Sequence, residues 1–122
     1  MANIEQFQDK KYINLETFKK DGTGVKTPVW LILENNTIYI VTRSQTGKVK
    51  RIRNNSEVRV VPCSLKGDAE GEWQKGKARL VEGKEAERII KLRSKKYGFM
   101  AKVAGLFSSV KGDLVVFAIT LD

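Results

Sequence analysis

Hydrophobic and polar positions alternate along much of the chain, and this period-two pattern predicts mainly β structure. The runs are rich in β-branched and aromatic residues and are separated by short polar turns. We predict six strands, near residues 12–18, 25–33, 37–42, 57–63, 72–81 and 114–121. Asp21-Gly22 is a typical hairpin turn. Pro28 lies inside the second run and has no N–H to donate, so it indicates an edge strand, a bulge or an interrupted ladder.

Helical spacing of apolar residues is confined to shorter segments. The pattern predicts one or two helical turns over residues 3–10, a short helix over 48–54 with Thr46 as N-cap, and a helix over 84–95. A further helical piece after Tyr97-Gly98 carries an apolar stripe, formed by Phe99, Met100, Val103, Leu106 and Phe107. This order of elements favours a closed or nearly closed antiparallel β-barrel with short helices, formed as a single domain over residues 1–122.

Composition and charge narrow the classes of partner. Lys and Arg number 23 against 14 Asp and Glu, so the formal net charge is +9 at pH 7. This charge favours an anionic partner, such as nucleic acid, an acidic membrane face or a polyanionic cofactor. Cys63 is the only cysteine, which excludes an internal disulfide and fits the cytoplasm. We expect no membrane partner, because no apolar stretch approaches the length of a membrane span.

The chain contains no histidine. Its absence removes the commonest general base and nearly all zinc chemistry, so we predict no metal site and assign no catalytic residue. Cys63 has no obvious activating base and is expected to be a small buried hydrophobic residue. If the protein is an enzyme, a bound cofactor must carry the reaction.

The segment 42–55 carries the strongest chemical signal. It holds five positive charges and no acidic residue, and it follows the β-branched run 37–41. A strand that ends in a Ser/Thr/Gly turn before a basic helix brings hydroxyls, backbone N–H groups and cations to one corner. This corner predicts a phosphate site. The alternative is a solvated helix whose basic side chains point into water.

Several phrases in this order and spacing resemble the pyridoxamine-phosphate-oxidase-like split barrels. The phrases are residues 14–22 (NLETFKKDG), 26–30 (KTPVW), Thr42, 47–55 (GKVKRIRNN) and 58–63. The likeness covers about residues 10–82 and is greatest to the deazaflavin-dependent oxidoreductase branch. It implies a six-stranded split β-barrel of the FMN-binding type, working as a homodimer with a cofactor at the interface. The implied cofactor is FMN or the 8-hydroxy-5-deazaflavin coenzyme.

The resemblance also implies which residues bind the cofactor. The residues on the implied phosphate corner are Thr42, Ser44, Gly47, Lys48, Lys50 and Arg51. Those on the strand beside the flavin-like ring are Thr27, Pro28, Val29 and Trp30. Pro62 and Cys63 fall on the next strand, near the same cleft. Hydroxyl, ammonium and guanidinium donors form charge-assisted hydrogen bonds to phosphate, which suits this assignment.

Three functions remain open from the sequence. The first is an oxidoreductase that passes hydride between the bound cofactor and a small organic substrate, with the ring supplying the chemistry. The second is a split barrel that stores, carries or senses the cofactor without turnover, because no clear acid–base group is present. The third is a basic barrel that binds nucleic acid. It is less favoured, because the aromatic residues do not alternate with Lys and Arg on one strand face.

Overall fold

A seven-stranded antiparallel sheet forms the protein, as seen in a computed structural model that describes residues 4–98 and 113–122. The strands are β1 (Tyr12–Phe18), β2 (Gly24–Trp30), β3 (Ile32–Glu34), β4 (Thr37–Arg43), β5 (Glu57–Cys63), β6 (Gln74–Val81) and β7 (Leu114–Leu121). Two helices, α1 (Gly47–Asn54) and α2 (Gly83–Tyr97), and a short 3-10 turn at Glu5–Phe7 accompany them. The predicted apolar stripe from Phe99 to Phe107 lies outside the described residues.

The sheet curls until its two ends meet. Its strand order is β2-β1-β5-β6-β7-β4-β3. β2 and β4 contact each other although no hydrogen-bonded ladder joins them. The barrel is therefore nearly closed, with an open seam between β2 and β4. Pro28 lies on β2, and the expectation of an edge strand is confirmed.

The mainly β prediction is confirmed, but the prediction of one strand over residues 25–33 is wrong. Leu31 separates β2 from β3, and these two strands lie at opposite ends of the sheet order. This break makes seven strands instead of six. The apolar run continues across Leu31, because its side chain is fully buried in the barrel interior. The hydrophobic pattern alone therefore carried no sign of the bend.

The described residues form two hydrophobic cores, and β7 contributes to both. Phe117 and Ile119 pack inside the barrel, whereas the alternate residues Val116 and Ala118 pack with α2 on its outer side. The central part of β7 is thus buried on both faces, as its apolar run predicts. The fully buried Ile89 anchors α2 in the outer core. Burying such a side chain stabilises a fold by about 1.5–3 kcal/mol.

The last turn of α2 is fastened to the backbone at the Leu31 bend. The Tyr97 hydroxyl accepts the Leu31 N–H at 3.0 Å. Its own proton faces two carbonyl oxygens, those of Lys11 at 2.6 Å and Leu31 at 2.7 Å. The Lys96 ammonium donates to the carbonyls of Lys10 at 2.6 Å and Leu31 at 2.9 Å. These bonds satisfy backbone groups that no strand ladder could reach at the bend.

Two further contacts hold α2 against β3 and β4. The Tyr39 hydroxyl donates to the Glu85 carboxylate at 2.9 Å, and Arg88 pairs with Glu34. Burial and this hydrogen bond raise the pKa of Tyr39. Within residues 4–98 and 113–122, neither helix is long and apolar enough to cross a membrane.

We predict that Tyr97→Phe destabilises the protein, because the buried Leu31 N–H loses its acceptor. Such an orphaned group costs about 1–3 kcal/mol, so thermal unfolding monitored by circular dichroism should show a lower Tm. Tyr12→Phe is the matched control, because the Tyr12 hydroxyl makes no hydrogen bond to any described residue. Equal Tm values for the two variants would contradict a fastening role for Tyr97.

Candidate functional site

The open seam between β2 and β4 forms a cleft, which we call the seam cleft. It encloses about 450 Å³, within the range of small-molecule sites. Consecutive residues of β2 form one wall, residues of β4 form the other, and α1 and α2 each add a cation. The lining residues are Tyr12, Pro28, Val29, Trp30, Val41, Thr42, Lys48, Leu65 and Arg93.

An aromatic stack supports the β2 wall. The Trp30 indole lies parallel to the Tyr97 ring, with centroids 4.4 Å apart and planes 8° from parallel. The Arg93 guanidinium lies over the same indole, 5.4 Å from its centroid. Burial raises the pKa of Tyr97 to about 12, so the phenol keeps its proton and its bonds at the Leu31 bend. Trp30 is therefore held by α2 at the wall of the cleft.

The orientation of α1 decides which of its cations reaches the cleft. Val49 and Ile52 point into the barrel interior and set the rotation of the helix. This rotation leaves Lys48 half-buried at the cleft, which Thr42 also lines, and Lys50 exposed outside it. Thr46 is the N-cap residue, as expected, but its hydroxyl donates back to the Arg43 carbonyl at 3.2 Å and caps no N–H.

The cleft is electrostatically positive. Burial, and then the neighbouring charge of Arg51, lower the pKa of Lys48. Burial and the charge of Arg43 likewise lower the pKa of Arg93. Among the described residues, no carboxylate forms an ion pair with Lys48 or Arg93. Half-buried cations without counter-charges favour the binding of an anion.

The structure brings five of the twelve predicted site residues together in the seam cleft, and the other seven do not line it. The five are Pro28, Val29, Trp30, Thr42 and Lys48. The seven are Thr27, Ser44, Gly47, Lys50, Arg51, Pro62 and Cys63.

Local packing explains why several residues of the predicted phosphate corner lie elsewhere. The Arg51 guanidinium donates to the Thr17 hydroxyl at 2.6 Å and so fastens α1 to β1. The Ser44 N–H donates to the Asp113 carbonyl at 2.8 Å. Gly47 is exposed, and a side chain there would meet the flexible end of Arg51 rather than a fixed backbone atom.

The remaining three residues are parts of strands. Thr27 is half-buried and pairs in register with Leu15. Pro62 and Cys63 are buried at the end of β5, and the Pro62 carbonyl accepts the Glu70 N–H at 2.7 Å. Burial, with the charges of Glu70 and Asp68, raises the pKa of the Cys63 thiol, so the thiolate is disfavoured. Cys63 is a small buried side chain, as predicted.

Four lining residues were missed by sequence reasoning, namely Tyr12, Val41, Leu65 and Arg93. Tyr12 and Val41 lie on predicted strands, and the sequence pattern does not distinguish them from other half-buried strand residues. Leu65 belongs to a loop and is 72% exposed, so no hydrophobic periodicity marks it. Arg93 lies on α2, in a basic segment that resembles an ordinary solvated helix face.

Comparison with known proteins shows the family. The model of the pyridoxamine 5'-phosphate oxidase family matches residues 2–122. The chain belongs to this family. No curated protein matches it significantly. The curled sheet with its open seam is the split barrel of this family.

Solved structures share the fold at low sequence identity. HutZ, the heme storage protein from Vibrio cholerae, has a TM-score of 0.74 and 13% identity, covering 97% of this chain and 86% of its own. A FAD-binding protein from Mesorhizobium loti has a TM-score of 0.64 and 16% identity, with coverages of 97% and 84%. An F420 reductase has a TM-score of 0.65 and 13% identity, with coverages of 100% and 94%. At these identities the likeness shows the fold alone.

We predict that Lys48→Met leaves stability unchanged or raises it at low ionic strength, because it removes a half-buried charge repelled by Arg51. Methionine keeps the length of the apolar stem. Lys50→Met on the exposed side of the same helix is the control and should change Tm little. Thermal unfolding at low and high salt measures both, and any gain should shrink as salt screens the repulsion. A large loss of Tm in Lys48→Met would show that Lys48 is structural.

Proposed function

We propose that this family member binds a phosphorylated flavin-type cofactor in the seam cleft and transfers hydride between it and a small organic substrate. The observation that carries the proposal is that Thr42 and Lys48 line the same cleft as Trp30, whose indole is held by its stack on Tyr97. Hydroxyl and ammonium donors suit a phosphate group, and an aromatic wall suits a cofactor ring.

The residues present fit such a cofactor. The cleft volume of about 450 Å³ suits a ring system with a short phosphorylated chain. β2 is an edge strand, so backbone groups facing the cleft are free of a second ladder and can bond to the polar rim of a ring. A FAD-binding protein and an F420 reductase share the fold, which supports a flavin or deazaflavin here. FMN and the deazaflavin coenzyme are the two candidates.

The cofactor and the residues that line the cleft have separate roles in this proposal. When bound, the cofactor ring supplies the hydride chemistry. Pro28, Val29 and Trp30 position the ring, and Thr42 and Lys48 hold its phosphate. Among the described cleft residues, Tyr12 and Lys48 carry protons that a reaction could use, and neither a carboxylate nor an imidazole is present.

A cofactor-carrying function without turnover is the second candidate. The small set of proton-bearing groups in the described cleft favours it, and so does the fold that the chain shares with a heme storage protein. Measurement of cofactor reduction and reoxidation with artificial acceptors separates the two functions. Bound cofactor that exchanges electrons with no acceptor would support the carrier.

We further propose a cytoplasmic homodimer in which the partner covers the rim of the cleft. Leu65 at this rim is 72% exposed, and a second copy would remove that apolar surface from water. Sedimentation velocity on the purified protein measures the mass. A monomer at all concentrations, with cofactor bound, would contradict the dimer.

We predict that the purified protein binds FMN or the deazaflavin coenzyme, and that Lys48→Gln weakens this binding by about tenfold or more. The loss of a charge-assisted hydrogen bond to phosphate is the physical reason. Fluorescence titration with each compound measures the affinity.

Lys50→Gln is the matched control for this experiment. It removes the same charge from the same helix, but Lys50 is exposed outside the cleft, so its effect should be small. Equal losses for the two variants would mean that the cofactor responds only to overall charge. Binding of neither compound to the unaltered protein would overturn the proposed function.

A further inference from the structure

We propose that Arg93 is a second phosphate-binding residue, contributed by α2 in addition to Lys48 of α1, and that it makes the seam cleft select a phosphorylated ligand over its unphosphorylated counterpart. This inference rests on the proposed function and deepens it. It assigns specificity to a residue outside the segment 42–55 that the sequence marked as the phosphate corner.

The position of Arg93 is the first argument for a phosphate-binding role. Its side chain lines the same cleft as Thr42 and Lys48, although it lies on a different helix. Three elements, β4, α1 and α2, therefore each bring one hydrogen-bond donor to one cavity. A phosphate group has three terminal oxygens, and donors from separate directions can each take one.

The contact of Arg93 with Trp30 is the second argument for a phosphate-binding role. Its guanidinium lies over the Trp30 indole, 5.4 Å from the ring centroid. A guanidinium in such a cation–π contact can still use its N–H groups for bidentate bonding. Trp30 is itself fixed by its stack on Tyr97, so the fork is held before any ligand arrives. Little side-chain entropy is then lost when a phosphate binds.

The charge in the cleft around Arg93 is the third argument for a phosphate-binding role. Among the described residues, no carboxylate forms an ion pair with Arg93 or with Lys48, which lines the same cleft. Cations gathered without counter-charge gain most from a ligand that carries about two negative charges, as a phosphate monoester does near neutral pH. A neutral ligand with the same ring gains nothing from them.

The test compares three ligands and four proteins. The ligands are inorganic phosphate, measured by calorimetry, and FMN and riboflavin, measured by fluorescence. The proteins are the unaltered chain, Arg93→Gln, Arg93→Lys and the control Lys91→Gln. Lys91 is an exposed lysine on the same helix outside the cleft, so Lys91→Gln reports the effect of removing one charge from α2.

We expect Arg93→Gln to weaken FMN and phosphate binding by about tenfold or more and to change riboflavin binding little. Arg93→Lys keeps the charge but loses the planar fork, so its affinity for FMN and phosphate should be intermediate. Lys91→Gln should match the unaltered chain. If the circular dichroism spectrum shows that Arg93→Gln does not fold, the test uses Arg93→Lys instead. A weaker affinity of Arg93→Lys than of Lys91→Gln for FMN and phosphate would then support the inference, and equal affinities would overturn it.

Two results would overturn the inference. One is an equal loss of FMN and riboflavin affinity in the Arg93 variants, which would assign Arg93 to the support of Trp30 alone. The other is the absence of phosphate binding to the unaltered chain. The proposed function fails separately: phosphate binding that depends on Arg93, with no affinity for either flavin or the deazaflavin coenzyme, would keep the anion site and reject the cofactor.

Discussion

The hydrogen bonds at the Leu31 backbone are the constraint on which the rest of the structure depends. At this residue the chain leaves one end of the sheet and enters the other, so its peptide groups lose their ladder partners. Tyr97 and Lys96 supply replacements from α2. The same helix turn holds Trp30 and brings in Arg93, so one set of bonds positions both the fold's bend and one wall of its cleft.

The open seam and the positive cleft are two results of the same geometry. β2 and β4 approach without pairing, and the space left between them is lined by residues that would otherwise face a neighbouring strand. Lys48 is held there against burial and the charge of Arg51, and Arg93 against burial and the charge of Arg43. An arrangement that is unfavourable for the empty protein is the expected property of a binding site, because a ligand of opposite charge relieves it.

The sequence predicted most of the strands and both described helices, because period-two and helical patterns report which faces are buried. It could not predict the break at Leu31, because a buried apolar residue is expected there whether the strand continues or ends. It also could not separate Lys48 from Lys50 and Arg51, because their roles depend on the rotation set by Val49 and Ile52. Arg93 was missed for a related reason: its partner Trp30 is distant in sequence, and only the docking of α2 brings them together.

The central place of β7 has a consequence for folding kinetics. β7 pairs with β6 on one side and β4 on the other, and it is distant from β4 in sequence. Before it inserts, the sheet consists of two separate pieces, each with an unpaired strand edge. Contacts between distant segments form slowly, since the loop must close first. Refolding should therefore pass through a period in which β4 and β6 are open to pairing with other chains, and aggregation should depend on protein concentration during that period.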